Sequence, residues 1–144
     1  MDNRALRQLN EFNKIWCEFL ELYTNVGFTL NQKIMYYMLE QEENGEEATQ
    51  KGLCEVWVSN KQTINSGVKR LEDAGMITRV VSSEDKRRKS LKLTEAGREY
   101  AYKVVIPMRK AEVKAFSKLN AEDVEQMLQN MRKLVISLEE EYPK

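Results

Sequence analysis

Histidine is absent from the 144-residue chain, and cysteine is limited to Cys17 and Cys54. Without histidine the commonest general base and the commonest metal ligand are gone, and two isolated cysteines do not make a zinc site. Proline occurs twice and glycine six times, so few positions interrupt regular structure and long helices are expected. No run of about 18 apolar residues is present, so no segment reads as a membrane span. Met1-Asp2-Asn3-Arg4 leads straight into an amphipathic pattern without the apolar centre of a signal peptide, which makes the cytoplasm the expected compartment. Also missing are a glycine-rich phosphate loop, a nucleophile elbow and any metal-ligand spacing. The carboxylate runs Glu42-Glu43, Glu46-Glu47 and Glu139-Glu140-Glu141 read as solvated faces. A non-enzymatic protein that needs no cofactor is the expectation.

Charge of either sign is plentiful but unevenly placed. Lys and Arg total 23, as do Asp and Glu, so the formal net charge is zero. Between Ser59 and Lys92, however, nine basic residues face four acidic ones. That segment carries +5 and the remainder −5, which places a positive face on a neutral molecule. Cys17 and Cys54 sit in apolar, helix-like contexts and read as buried free thiols; a single disulfide or a redox sensor is the alternative.

Apolar spacing sets the order of elements. Leu6, Leu9, Phe12, Trp16, Phe19, Leu20 and Tyr23 recur at three and four residues, predicting an amphipathic helix over 4–24. Thr29 with Gln32 forms a capping-box pattern opening a second helix that carries Ile34, Met35, Tyr37, Met38 and Leu39. A polar stretch containing Asn44-Gly45 separates it from a short third helix over 49–56. After a turn, Ser59 or Asn60 caps a fourth helix to about Ala74, with Ile64, Val68 and Leu71 inward and Gly75 as its stop. The period then changes. Met76 to Val81 is β-branched and short, 82–89 is a charged tip, and Ser90-Leu91-Lys92-Leu93 alternates as a return strand. A long helix from about Thr94 to Phe116, kinked at Pro107, and a last helix from about Ala121 complete the chain. The fold class is mainly α with a small β-hairpin.

The centre of this order is a helix-turn-helix followed by a hairpin. The fourth helix, apolar stripe inward, offers Lys61, Gln62, Asn65, Ser66 and Lys69 on its other side, side chains of the kinds that bond base edges and phosphates. A solvated helix face is the plainer reading of the same residues. The hairpin tip adds Lys86, Arg87, Arg88 and Lys89, four consecutive cations that suit phosphates or a minor groove. Asp85 is placed to orient a neighbouring guanidinium. The first and last helices present longer apolar stripes than a DNA-binding core of about 60 residues can cover, which points to a second copy.

These residues resemble the MarR (multiple antibiotic resistance regulator) family of winged helix-turn-helix regulators. The resemblance is carried by Asp85-Lys86-Arg87 followed by Leu93-Thr94-Glu95-Ala96-Gly97. Asn60-Lys61-Gln62-Thr63-Ile64, Arg70-Leu71-Glu72, Gly75-Met76-Ile77 and Arg79 add to it. It implies a single MarR-like domain over 1–144, with a winged lobe over about 29–97 and helical dimerisation regions over about 1–24 and 98–144. It implies a homodimer on a pseudo-palindromic double-stranded operator, usually as a repressor. Arg87, held by Asp85, would enter the minor groove. Lys61, Gln62, Thr63 and Asn65 would face the major groove, with Lys69, Arg70 and Arg79 nearer phosphates; Asn60 and Ser66 on the helix and Lys86, Arg88 and Lys89 at the wing complete the candidate DNA-binding set. Gly67 departs from the larger apolar residue usual in the family.

Trp16, Tyr23, Phe28, Met35, Tyr36, Met38 and Tyr100 form an aromatic and methionine set that fits either plain core or, by the resemblance, a pocket for a small aromatic or phenolic effector. The family's redox branch is not matched, because Cys17 lies mid-helix and Leu30 stands at the opening of the second helix. A winged-helix module that binds protein instead of DNA is the alternative function.

Overall fold

The computed structural model describes residues 1–27, 29–57, 59–81 and 89–143. The helices are α1 (Asn3–Val26), α2 (Leu30–Glu43), α3 (Gln50–Trp57) and α4 (Lys61–Asp73), followed by strands β1 (Ile77–Val81) and β2 (Lys89–Leu93). Then come α5 (Glu95–Tyr100), a π-helical turn (Ala101–Val105), α6 (Ile106–Phe116) and α7 (Ala121–Glu141). The chain divides into two compact units, Met1–Ile106 and Pro107–Lys144. The expected winged helix with its two-stranded hairpin is present, in the expected order.

Within the first unit, α2 is the hub. Ile34, Met35, Tyr37, Met38 and Leu39 are all buried, so α2 is apolar around most of its girth and has to be enclosed. It packs against α4, β2 and the π-helical turn. Thr29 and Gln32 form the predicted capping box at its start. From α4 come Ile64 and Val68, both with no exposed surface, and Leu71. From elsewhere come Leu53, Ile77, Leu91, Leu93, Ala101 and Val105. Each buried Val, Leu or Ile side chain among them contributes roughly 1.5–3 kcal/mol of burial free energy.

Gly67 explains how closely α4 lies on α2. It is buried, and a Cβ there would stand 2.8 Å from Ile34 Cδ1 and 3.3 Å from Leu30 Cδ2. The missing side chain is replaced by neighbours from α2, so the departure from the family pattern is a close approach of two helices.

The hairpin pairs antiparallel with Ile77 opposite Leu93, Arg79 opposite Leu91 and Val81 opposite Lys89. A third partner, invisible to periodicity, joins it: Leu91 N–H donates to Ala48 O at 2.8 Å, an isolated antiparallel bridge. The residues just before α3 are thereby fastened to the wing.

The Leu93-Thr94-x-x-Gly97 pattern has a structural reason. Thr94 caps α5, its Oγ1 accepting from Gly97 N–H at 3.0 Å and donating to Gly75 O at 2.6 Å. Thr94 N–H also donates to Met76 O at 3.0 Å. Gly75, at φ +75, takes the left-handed conformation that ends α4 and turns the chain into β1. At Gly97 a Cβ would lie 1.9 Å from Met76 O, so only hydrogen fits against that carbonyl.

The helix following the hairpin differs from the single kinked helix expected. The irregularity precedes Pro107: residues 101–105 widen into a π-helical turn, with Ile106 N–H bonded to Ala101 O. Pro107 has no N–H to continue the ladder and its ring crowds the preceding turn, and the hydrogen-bond pattern is rearranged upstream of it. Cys17 also departs from expectation. It is exposed and free on α1, while free Cys54 is half-buried against the core. No residue of α1 is buried, so an apolar context in sequence did not translate into burial within the chain.

Gly97→Ala is expected to lower stability by about 2 kcal/mol or more, because backbone has to move. Gly67→Ala meets only the flexible ends of side chains, Ile34 and Leu30 first, and about 1 kcal/mol of helix propensity offsets the crowding. Urea titrations of the two variants should separate them clearly.

Candidate nucleic-acid interface

The α4 helix begins at Asn60, whose Oδ1 accepts from Thr63 N–H at 2.8 Å; Asn60, and not Ser59, is the cap. From there Ile64, Gly67, Val68 and Leu71 turn inward, and the intervening positions must face out. Lys61, Gln62, Thr63, Asn65, Ser66, Lys69 and Arg70 are all exposed, as is Asn60. The result is a 13-residue helix about 20 Å long, with amides and hydroxyls toward its first half and Lys69 and Arg70 toward its second. A helix of about 10–12 Å diameter matches the width of a B-DNA major groove. α3 packs against α4 and completes the helix-turn-helix.

Arg79 is set differently from the other predicted cations. Two positions after Ile77, it falls on the core side of the ribbon by the period of the strand. Its side chain is about one-quarter exposed, and Nε pairs with Glu72 Oε2 of α4 at 3.1 Å. NH1 donates to Gln50 Oε1 of α3 at 2.7 Å. Gln50 Nε2 in turn donates to Asn65 Oδ1 at 3.1 Å. Arg79, expected near phosphate, is thus engaged within the free chain, as its strand parity allows. Glu72 and Gln50 were not singled out from sequence; nothing local marks them, although the parity of Arg79 with Ile77 was readable.

Of the wing residues, Lys89 is exposed at the start of β2, opposite Val81. Asp85, Lys86, Arg87 and Arg88 lie outside the described residues, as does Phe28. The remaining members of the aromatic and methionine set separate into two groups. Met35 and Met38 are buried core residues, with Tyr36 and Tyr100 packed partly buried against that core. Tyr100 Oη accepts from Gln32 Nε2 at 3.1 Å. Trp16 and Tyr23 belong instead to an aromatic row along α1, where Phe12, Trp16, Phe19 and Tyr23 follow one another at ring-centroid distances of 6.4, 5.5 and 4.7 Å. Met35 and Met38 thus belong to the core around α2. A cavity of ≈ 310 Å³ beside β2 is lined by Met38, the 45–48 turn and Ser90–Leu93, with Glu42 at its edge; Met38 is all it shares with the set.

A short helix, a turn, a second helix with a polar cationic outer face and a hairpin braced against both define a winged helix-turn-helix. The family model described as "MarR family" matches residues 27–88. Over this segment, less than half of its length, the chain is similar to the MarR family of winged helix-turn-helix regulators. Solved structures agree on the fold. A MarR family regulator from Neisseria meningitidis matches at 24% identity and a TM-score of 0.68, covering 94% of each chain. MepR of S. aureus in complex with DNA matches at 22% identity and a TM-score of 0.63, covering 96% of each chain. The regulator MarR of Oenococcus oeni matches at 18% identity and 0.65, covering 91% of this chain and 98% of its own. No curated protein matches the chain. Among the described residues no helix is long and apolar enough to cross a membrane.

Lys69→Ala should weaken binding to every duplex by a similar factor and reduce the slope of log affinity against log salt by about 0.9, the signature of one lost phosphate contact. Fluorescence anisotropy over a salt series measures both; an unchanged slope would remove Lys69 from the phosphate-facing set.

Proposed function

We propose that this protein is a sequence-specific, double-stranded-DNA-binding transcription regulator that acts as a homodimer and represses by occupying its operator. The observation that carries the reading is the outer face of α4, where Lys61, Gln62, Thr63, Asn65, Ser66, Lys69 and Arg70 are exposed together on a helix held firmly from behind. The four consecutive cations Lys86, Arg87, Arg88 and Lys89 in the sequence add charge of the kind that suits phosphates or a minor groove. By the family resemblance Arg87, oriented by Asp85, enters the minor groove.

Support for the homodimer comes from surface that the chain leaves uncovered. On α1, Leu9, Trp16, Phe19 and Leu20 are exposed by 49, 41, 42 and 49%. On α7, Met127, Leu128, Met131 and Val135 are exposed by 38, 42, 37 and 54%. Apolar stripes of this length on soluble chains mark association, and closed two-fold pairing is the commonest solution. Two-fold symmetry would present two α4 helices to successive major grooves, which makes the operator pseudo-palindromic. A small aromatic or phenolic effector that releases the DNA belongs to the same proposal, with Tyr36 and Tyr100 as the half-buried residues best placed to meet it.

Titration of the protein into a labelled duplex selected from a randomised pool tests the DNA reading directly, with an unrelated duplex as control. Preference for the selected duplex by about 10³-fold or more is expected. Equal, salt-sensitive binding to both would reject sequence specificity. No binding to either near 50 mM salt would reject the DNA reading and favour a protein-binding winged helix. For the dimer, Phe19→Glu should raise the dissociation constant of self-association by about 30-fold or more, as read by sedimentation equilibrium. A wild-type chain that stays monomeric at all concentrations would overturn it.

A further inference from the structure

We propose that Arg79 and Gln50 are positioning residues that fix which end of the Asn65 carboxamide faces the DNA, and so set the base that Asn65 reads. The inference rests on the DNA-binding reading above and adds to it a rule of recognition at one base pair.

The argument follows from which atoms can donate. A guanidinium has only donors, so the atom of Gln50 that meets Arg79 NH1 at 2.7 Å must be Oε1. Its amide nitrogen is then turned the other way, and Nε2 stands 3.1 Å from the Asn65 side chain. An amide N–H needs an acceptor, so the Asn65 atom it meets must be Oδ1. The orientation of two amides, ordinarily ambiguous, is settled by the one member of this hydrogen-bonded series that cannot accept. Arg79 is itself anchored on its other edge by Glu72 at 3.1 Å. The order of donation therefore runs from Glu72-bound Arg79 through Gln50 to Asn65, committing the oxygen and one N–H of Gln50 and the oxygen of Asn65.

With Oδ1 engaged by Gln50, exposed Asn65 is left with its Nδ2 amino group to offer outward. That group donates. It suits base edges that accept in the major groove, guanine N7 and O6 or thymine O4, and it does not suit the donating N4 amino group of cytosine. Gln50 opens α3 and sits beside the wing because Ala48, two residues earlier, is bridged to Leu91, which in turn pairs with Arg79. The wing strand thus sets the chemistry of the recognition helix without touching a base itself.

The decisive variant is Gln50→Glu. A carboxylate at position 50 accepts from Arg79 and must also accept from Asn65, so the Asn65 amide turns over and presents Oδ1 outward. Binding is compared for wild type, Q50A and Q50E on the duplex selected by wild type and on its complete set of single-base-pair substitutions, with thermal melts confirming that each variant folds. Q50A is expected to flatten discrimination at one base pair per half-site, and Q50E to shift it by about 5- to 20-fold toward bases with a donating edge. The added charge of Q50E weakens all duplexes equally and is divided out. In an Asn65→Ala background Q50E should no longer alter the base-pair profile, a result that simple loss of packing would not give. The slope against salt should stay at the wild-type value in Q50A, because Gln50 meets no phosphate. Base-pair profiles of Q50A and Q50E that remain parallel to wild type would overturn the inference while leaving DNA binding intact. A wild type with no preference among duplexes would instead overturn the underlying reading, and this inference with it.

Discussion

A helix that is apolar around most of its circumference cannot exist at a surface, and the enclosure of α2 is the constraint from which the arrangement of the first unit follows. Ile34 and Met35 have no exposed surface. They are covered on one side by α4, on another by β2 and on a third by the π-helical turn. Because α4 is among the covering elements, its inward stripe of Ile64, Val68 and Leu71 is determined by α2, and its outward stripe is determined with it. The polar face proposed to meet DNA is the complement of a core requirement. Gly67 tightens this link, since the two helices approach to a distance at which a methyl group would already crowd Ile34.

Much of this was legible in sequence because it is local. Three- and four-residue spacing located the helices, Thr29 with Gln32 marked a capping box, and Gly75 marked the end of α4. The resemblance to the MarR family rested on Leu93-Thr94-x-x-Gly97, and the structure supplies its physical meaning: a capping hydroxyl that also ties Gly75, and a glycine that leaves room for the Met76 carbonyl. The exposure of Lys61 to Arg70 followed directly from the inward positions between them.

What escaped was non-local or a matter of degree. Ala48 pairs with Leu91 through a single bridge, too short to carry any alternation. The Gln50–Asn65 and Gln50–Arg79 bonds join residues whose sequence separations, 15 and 29, no motif spans. Pro107 correctly announced a disturbance, but its form depended on how the preceding turn could give way. For Cys17 and Trp16, apolar neighbours suggested burial, whereas burial depends on what lies opposite, and within its own chain α1 has nothing buried.

The bridge between Ala48 and Leu91 has a kinetic consequence. It closes a loop of roughly forty residues whose entropy must be lost before the contact is gained. All of α3, α4 and β1 lie inside that loop, so the complete recognition surface is assembled only when the loop is sealed. Elements such as α4 can form early on local contacts, but their mutual arrangement is delayed until this distant pair meets. A chain interrupted before Leu91, as during synthesis, would hold helices of the right length with no fixed geometry between them. Such a fragment lacks the assembled surface that the proposed function requires.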